Sequence, residues 1–130
     1  MTNYARFKAN GEISYGVVEG DAITKISGSP FQSYDSTNES YSLSDVKLLS
    51  PTNPRKVVAI GLNYKSHLGG KPGPAAPEPF LKASTSVIGN GDEIVIPKAA
   101  IEEKVKIQPE AELAVVIGKE CKGANQGNAL

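Results

Sequence analysis

The sequence predicts an α+β protein that is mainly β. Glycine and proline are frequent, with 13 and 9 among 130 residues, which is typical of a chain with many turns. The N-terminal segment alternates apolar and polar residues, as half-buried strands do. Further along, apolar residues come in short continuous runs bounded by turns, and this pattern indicates strands buried on both faces.

The N-terminal segment predicts a three-stranded antiparallel meander over residues 4–27. Asn10-Gly11 stands between two alternating runs and is the strongest short signal for a hairpin. Glu19-Gly20-Asp21 then turns the chain into a third run. Residues 28–44 are rich in Ser, Thr, Asn, Gly and Pro, so we expect a loop there. A turn of helix is expected to start at Ser44.

Pro51-Thr52-Asn53-Pro54 is the best candidate for a domain boundary. Proline restricts its own backbone and that of the residue before it, so this segment is a stiff connector. We therefore expect a small β-rich domain over residues 1–50 and a second domain over residues 51–130.

The second domain is expected to contain several buried strands with few helices to cover them. Its clearest strand spans residues 113–118 and is apolar on both faces. A chain this short buries roughly 60–70% of its surface. Either a partner chain covers these strands or the sequence is a fragment. The other expected elements are strands over residues 56–61, 80–82, 86–88 and 94–96, and a short helix or charged loop over residues 99–105.

Charge and cysteine content exclude several classes of protein. Lys plus Arg and Asp plus Glu both number 14, which gives no electrostatic reason to expect a nucleic-acid or anionic-membrane partner. Cys121 is the only cysteine, which excludes a disulfide within the chain. No apolar run has the length of a signal peptide or approaches the ~20 residues of a membrane helix. We therefore expect a cytoplasmic protein.

Glu110 and Glu112 are the candidate metal ligands. They precede the predicted strand over residues 113–118, and residues two apart in a strand share one face. Two carboxylates that close repel each other unless a cation lies between them. Mg²⁺, Mn²⁺ and Ca²⁺ all prefer such oxygen ligands. The alternative is a pair of solvated glutamates on an edge strand, which by pattern alone is the more common case.

His67 is the only histidine and follows the predicted strand over residues 56–61. An imidazole on such a loop can act as an acid or base near neutral pH; the alternative is a surface histidine without a role. Asn63 and Tyr64 on the same loop either orient a substrate or only cap and pack. Lys82 is a candidate for holding a substrate carboxylate or enolate oxygen, although most strand lysines simply reach solvent.

Taken in their order along the chain, these motifs resemble those of the fumarylacetoacetate hydrolase family. Residues 56–67, KVVAIGLNYKSH, are similar to the family's entry strand and histidine loop. Residues 80–82 and 87–89 look like its next strand and loop, and residues 110–118 look like its metal-ligand strand. Residues 4–50 are similar to the small N-terminal domain that many members carry. The resemblance thus covers nearly the whole chain.

The resemblance implies a mixed β-roll for the second domain, a homodimer, and an Mg²⁺, Mn²⁺ or Ca²⁺ ion held by two glutamates and an aspartate. Glu110 and Glu112 match the glutamate ligands, His67 matches the catalytic histidine, and Lys82 lies near the position of a substrate-contacting residue. The implied function is a metal-dependent hydrolase, lyase or isomerase. Its small-molecule substrate would be a β-keto acid or related enolisable carboxylate, such as an acylpyruvate or a compound like fumarylacetoacetate or oxaloacetate.

Two departures from the family pattern set limits on this expectation. Many members carry a glutamate three residues after the histidine, where this chain has Gly70, so a His–Glu pair would need another carboxylate such as Glu78. The family's aspartate ligand lies further along than Leu130. We therefore expect a truncated chain that is inactive alone, whereas the complete protein is an enzyme. The alternative is a catalytically inactive truncated relative with a binding or structural role. The length of the natural reading frame separates the two.

Overall fold

In the computed structural model, which describes residues 1–129, the N-terminal part of the chain forms a five-stranded antiparallel sheet. The spatial order of its strands is β4-β3-β2-β1-β5. The strands are β1 (Asn3–Ala9), β2 (Glu12–Glu19), β3 (Ala22–Ile26), β4 (Ser36–Ser42) and β5 (Lys47–Leu48).

The turn between β1 and β2 explains the register of the sheet. Asn10 and Gly11 have φ angles of 50° and 85°, the left-handed backbone that a type I′ hairpin requires at both central positions. Ala9 therefore stands opposite Glu12, with a two-residue loop between them. The predicted meander over residues 4–27 is confirmed by β1, β2 and β3.

The prediction of a loop over residues 28–44 is wrong for its second half, because residues 36–42 form β4 against β3. The Thr37 hydroxyl donates a hydrogen bond to the Lys25 carbonyl (2.9 Å). This strand lies at the edge of the sheet and is polar, so it lacks the apolar alternation by which strands are recognised. The expected helical turn is a 3₁₀ helix over Leu43–Asp45, and it is capped by Ser42 one residue earlier.

The buried core of the described residues lies in this sheet. Phe7, Ile23 and Ile26 are the fully buried apolar side chains. The Tyr41 ring packs on Phe7 with their centroids 5.5 Å apart. Gly16 lets β2 approach β3 closely, since a Cβ there would lie 2.6 Å from Ile23 Cγ1. The core is therefore formed by residues of β1 and β3, with the Tyr41 ring of β4 packed on Phe7.

A second, two-stranded sheet pairs β6 (Val57–Gly61) with β7 (Glu78–Lys82) in antiparallel fashion. Both lie where the sequence predicted strands. Val58 is 58% exposed, however, so β6 is not buried on both faces as expected. A two-stranded sheet has faces that only other elements can cover. The short helix α1 (Lys98–Glu102) follows, in agreement with the helical alternative for residues 99–105.

Two short predicted strands are wrong. Residues 86–88 and 94–96 form no strand in the described part of the chain. Ser84–Ser86 is a 3₁₀ turn in which the Ser86 hydroxyl donates to the Ala83 carbonyl (2.7 Å). Neither run has a neighbouring strand to complete its backbone hydrogen bonds, and without a ladder a short apolar run does not become a strand.

The clearest predicted strand, over residues 113–118, is also wrong for this chain. The segment has no regular secondary structure, and burial on both faces is contradicted by its exposed apolar side chains. Burial depends on what packs against a segment, and few elements pack against this one. The exposed fractions of Leu113, Val115 and Ile117 are 86%, 79% and 73%.

Two contacts between the N-terminal part and the rest of the chain stand out among residues 1–129. Lys47 Nζ lies 2.6 Å from Asp92 Oδ1. Beside this pair, Gly89 approaches β5 so closely that a Cβ would lie 2.9 Å from the Leu48 carbonyl oxygen. The second is a cleft that Phe31 of the N-terminal part and Val116 line together. Within residues 1–129, the structure contains no helix long and apolar enough to cross a membrane.

Candidate active site

The histidine loop begins where β6 ends. Leu62 follows Gly61 with a φ of 51°, a left-handed backbone that is uncommon for a bulky residue. Tyr64 is extended and precedes a 3₁₀ turn over Lys65–His67. The His67 amide donates to the Tyr64 carbonyl (3.0 Å), which closes the turn. The imidazole is thereby held a short distance from the end of a paired strand.

The structure brings His67 and Glu110 together, although they are 43 positions apart in the sequence. The imidazole Nε2 lies 3.7 Å from Glu110 Oε1. The two side chains are 41% and 53% exposed, so solvent reaches this pair. The pair is an ion pair only when the imidazole is protonated. The separation is longer than a hydrogen bond, so a direct proton transfer requires the two atoms to approach to about 3 Å.

The carboxylate that lies beside the histidine is Glu110, which the sequence predicts as a metal ligand. Gly70, at the position where many family members carry a glutamate, has a φ of 82° and belongs to the turn after the histidine. Glu78, the substitute considered from the sequence, begins β7 opposite Gly61. Glu110 is therefore the carboxylate that the structure pairs with His67.

Tyr64 joins the histidine loop to the segment that carries the glutamates. Its hydroxyl accepts a hydrogen bond from the Leu113 amide (2.8 Å). Leu113 directly follows Glu112, so this contact fixes the backbone next to a candidate metal ligand. The sequence offered Tyr64 only as a residue that orients substrate or packs, and nothing in it indicated a partner 49 residues away.

Glu110 and Glu112 have the donor chemistry that a hard divalent cation prefers, since both supply carboxylate oxygens. Within residues 1–129, no three His, Cys, Asp or Glu side chains are grouped closely enough to hold a metal ion. The donors fit such an ion as part of a ligand set. Because residues 110–118 form no strand here, the sharing of one face by the two glutamates stays a prediction.

The remaining predicted residues lie near this loop or on the neighbouring strand. Asn63 is exposed between Leu62 and Tyr64. Lys82 ends β7 opposite Val57, and its Nζ lies 6.0 Å from the centroid of the Phe80 ring. In the described residues no ion pair joins Lys82 to either glutamate.

A cleft of about 420 Å³ opens beside His67. Lys71 lines it and brings a cation to the imidazole side of the loop, a feature that the sequence reasoning missed. Its one signal in the sequence is its place in the Gly- and Pro-rich segment over residues 68–79. The other lining residues are Leu62, Leu68, Gly69 and Pro72.

Comparison with known protein families identifies both parts of the chain. Residues 56–130 match the family model described as fumarylacetoacetate (FAA) hydrolase C-terminal, which is more than half of the chain. The chain belongs to the fumarylacetoacetate hydrolase family. Residues 3–51 match a second model, described as Rv2993c-like, N-terminal. The family resemblance seen in the sequence is confirmed.

Curated relatives in the family are considerably longer than this chain. An uncharacterized protein of Archaeoglobus fulgidus is 37% identical over 95% of this chain and 45% of its own length. The Xenopus laevis protein named oxaloacetate tautomerase fahd2, mitochondrial, is 40% identical over 74% of this chain and 30% of its own. A 2,4-didehydro-3-deoxy-L-rhamnonate hydrolase of Sphingomonas is 42% identical over 58% of this chain and 26% of its own. The chain spans less than half the length of these relatives.

Solved structures confirm the fold class. Crystal structures of the protein Cg1458 include one that matches 77% of this chain and 39% of its own, at 34% identity and a TM-score of 0.65. The 2-hydroxyhepta-2,4-diene-1,7-dioate isomerase from Mycobacterium marinum matches 68% of this chain and 34% of its own, at 28% identity and a TM-score of 0.57. The mainly β fold of the fumarylacetoacetate hydrolase family is therefore shown for this chain.

Proposed function

We propose that this chain carries part of the active site of a metal-dependent enzyme that acts on an enolisable keto acid, as a hydrolase, lyase or isomerase. The observation that carries the proposal is the approach of His67 Nε2 to Glu110 Oε1 at 3.7 Å. A proton-transferring imidazole and a metal-binding carboxylate then stand next to each other. A base that removes the proton and a cation that stabilises the enolate oxygen both accelerate enolisation.

The names of the relatives support this class of substrate. The Xenopus relative is called an oxaloacetate tautomerase, the Sphingomonas relative a hydrolase of a didehydro-deoxy sugar acid, and the Mycobacterium marinum protein an isomerase of a hydroxy-diene-dioate. The compounds in these names are carboxylic acids, and each can exist in keto and enol forms. We extend that chemical class, without a particular member of it, to this chain.

In the proposed site, Glu110 and Glu112 would hold Mg²⁺, with Mn²⁺ or Ca²⁺ as substitutes. A bound divalent ion supplies positive charge that stabilises an enolate oxygen. His67 removes a proton from the carbon next to the keto group, and the electron pair of that C–H bond forms the enol double bond. The enolate oxygen then takes up a proton, so the keto and enol forms interconvert without loss of atoms. In a hydrolytic member, the same imidazole would deprotonate water.

Other residues of the loop and of β7 would bind the substrate. We place Asn63 and Tyr64 at the substrate because they lie on the same loop as His67. Lys82 would hold a carboxylate of the substrate through its ammonium group. This role requires Lys82 to leave the Phe80 ring, over which it now lies, and its exposed position on β7 allows that movement.

Our proposal for the whole protein also includes its assembly and location. We propose a domain of residues 1–50 and a catalytic domain that begins at residue 51, a homodimer, and a cytoplasmic protein without nucleic-acid or membrane partners. The exposed apolar side chains of residues 113–117 support a further covering surface, supplied either by a second copy or by additional chain. The alternative function is a catalytically inactive relative that only binds a partner.

Oxaloacetate and an acylpyruvate are suitable test substrates, because their enol forms absorb ultraviolet light more strongly than their keto forms. The protein, as its natural gene encodes it, is mixed with Mg²⁺ and each compound, and the approach to keto–enol equilibrium and the cleavage of the acylpyruvate are followed. We expect His67→Gln to lose at least about 100-fold in rate, the usual contribution of a general acid or base.

The controls separate catalysis from folding. Glu103→Gln removes a carboxylate from the end of α1 and should keep the wild-type rate. Glu110→Gln combined with Glu112→Gln should abolish Mg²⁺ binding in a calorimetric titration. Equal rates in wild type and His67→Gln, or equal metal binding in wild type and the double variant, would refute the corresponding role. An encoded protein that binds no metal and turns over neither compound would favour the inactive alternative.

A further inference from the structure

Tyr64 contacts both parts of the candidate site at once. Its backbone carbonyl accepts the hydrogen bond from the His67 amide (3.0 Å), and its side-chain hydroxyl accepts the one from the Leu113 amide (2.8 Å). We propose that Tyr64 is a positioning residue that holds the glutamate segment against the histidine loop. This inference deepens the proposed function and rests on it where metal binding is concerned.

The position of Tyr64 in the chain makes it a suitable anchor. It follows β6, whose five residues are all paired with β7, by three positions. Its own backbone is extended, with φ −113° and ψ 133°, and needs no strained conformation. The side chain is half-buried, unlike the exposed imidazole of His67. The phenol therefore extends from a fixed part of the fold.

The segment that Tyr64 holds has little other support. Residues 107–118 form neither helix nor strand in the described chain, so no ladder of backbone hydrogen bonds sets their position. Glu112 adjoins the anchored Leu113, and Glu110 is three residues away. An extended chain spans at most about 3.6 Å per residue. Chain connectivity keeps the Glu110 backbone within about 11 Å of the Leu113 backbone, so a contact that fixes Leu113 also confines Glu110 to that distance from a fixed point.

Loss of the Tyr64 hydroxyl should make the positions of both glutamates less fixed and should increase the mean distance between His67 and Glu110. A backbone amide that loses its acceptor becomes available to water, and the segment gains conformations in which the carboxylates are apart. Two ligands that must first be brought together bind a cation more weakly than two that are held in place. Tyr64 would thus control metal affinity without contacting the metal.

Tyr64→Phe removes only the hydroxyl, and Tyr41→Phe is the matched control. The Tyr41 hydroxyl also forms a hydrogen bond, which it donates to the Glu39 carboxylate (2.9 Å), but it lies on the N-terminal sheet. In the metal-free 130-residue chain, NMR hydrogen exchange of the Leu113 amide should be about 5-fold faster in Tyr64→Phe and unchanged in Tyr41→Phe. The nuclear Overhauser effect between the His67 ring and the Glu110 side chain should weaken in Tyr64→Phe alone.

A Mn²⁺ titration of the same variants adds the functional readout. Tyr64→Phe should bind Mn²⁺ about 5-fold more weakly than wild type at an unchanged melting temperature. The Glu110→Gln, Glu112→Gln double variant should lose the metal but keep slow exchange at Leu113. Unchanged Leu113 exchange in Tyr64→Phe, or unchanged Mn²⁺ affinity despite faster exchange, would overturn the inference. A wild-type chain that does not bind Mn²⁺ would show that Glu110 and Glu112 alone hold no metal ion, and the two metal-free measurements would still decide the role of Tyr64.

Discussion

At the scale of single residues, Lys47 and Asp92 form an ion pair that joins the two parts of the chain. The Lys47 ammonium, at 2.6 Å, and the Gly89 amide, at 2.8 Å, both donate to the Asp92 carboxylate. Together they hold the pKa of Asp92 below its ordinary value of 3.8, and Lys47 has the larger effect. The carboxylate thus binds a side chain of β5 and a backbone amide of its own turn.

This contact predicts an acid-dependent contribution to stability. A lowered pKa in the folded state means that the stabilisation is present above the unfolded pKa and is lost as the pH falls through the folded pKa. We expect Asp92→Asn to melt at a lower temperature than wild type near neutral pH, and the two melting temperatures to converge below about pH 3.8. Circular dichroism melts across this range provide the measurement.

Asp35→Asn is the control for this comparison, because the hydrogen bonds of Asp35 come from its backbone. Its melting temperature should follow that of wild type at each pH. If Asp92→Asn and wild type differ by a constant amount down to the lowest pH, the difference does not come from the charge of Asp92.

The sequence identified the chemistry of individual residues better than their partners. His67 and Glu110 were selected because their residue types suit proton transfer and metal binding, and the structure brings them together. The bond from Tyr64 to Leu113 and the pair of Lys47 with Asp92 were missed. Each joins positions more than 40 residues apart, and no local pattern records how a loop lies on a distant segment.

At the scale of secondary-structure elements, the sequence predicted a strand correctly where the local signal was strong. The first hairpin was predicted because Asn10-Gly11 specifies both the turn and the register. Strand β4 was missed because it is a polar edge strand held by pairing with β3. The predicted strand at residues 94–96 failed for the opposite reason, since its apolar residues have no neighbouring strand. Strand formation therefore depended on available partners as well as on composition.

Two glycines of this hairpin are expected to differ in their tolerance of alanine. Gly16 has an ordinary backbone, but a Cβ there would lie 2.6 Å from Ile23 Cγ1 and 2.7 Å from the Thr24 carbonyl oxygen. Gly11 has a φ of 85° and open space around it. We expect Gly16→Ala to lower the free energy of unfolding by about 1–3 kcal/mol through overpacking, and Gly11→Ala by about 1–2 kcal/mol through its left-handed backbone.

Substitution by asparagine separates the two causes, since asparagine tolerates the left-handed region but is larger than alanine. Gly11→Asn should recover stability relative to Gly11→Ala, whereas Gly16→Asn should be worse than Gly16→Ala. Urea unfolding followed by circular dichroism measures all four variants. A similar response at both positions would show that the close approach of β2 to Ile23 is absent in solution.

At the scale of the whole molecule, burial is divided unevenly between the two parts of the chain. The fully buried apolar side chains of the described residues are Phe7, Ile23 and Ile26, all in the N-terminal sheet. Leu113, Val115 and Ile117, in contrast, are 86%, 79% and 73% exposed. The sequence predicted burial there from apolar composition, which indicates what a segment can bury but does not supply the element that covers it.

This division predicts that the N-terminal sheet carries the cooperative stability of the chain. Ile23→Ala should lower the free energy of unfolding by about 2–5 kcal/mol, because it leaves a cavity in a packed core. Val115→Ala should change it by less than about 0.5 kcal/mol, because Val115 is 79% exposed. Urea unfolding can be followed by tyrosine fluorescence, since the chain has five tyrosines and no tryptophan. An equally large loss for Val115→Ala would mean that residues 113–117 are packed in solution. Sedimentation of the same samples would then show whether a second copy of the chain provides that packing.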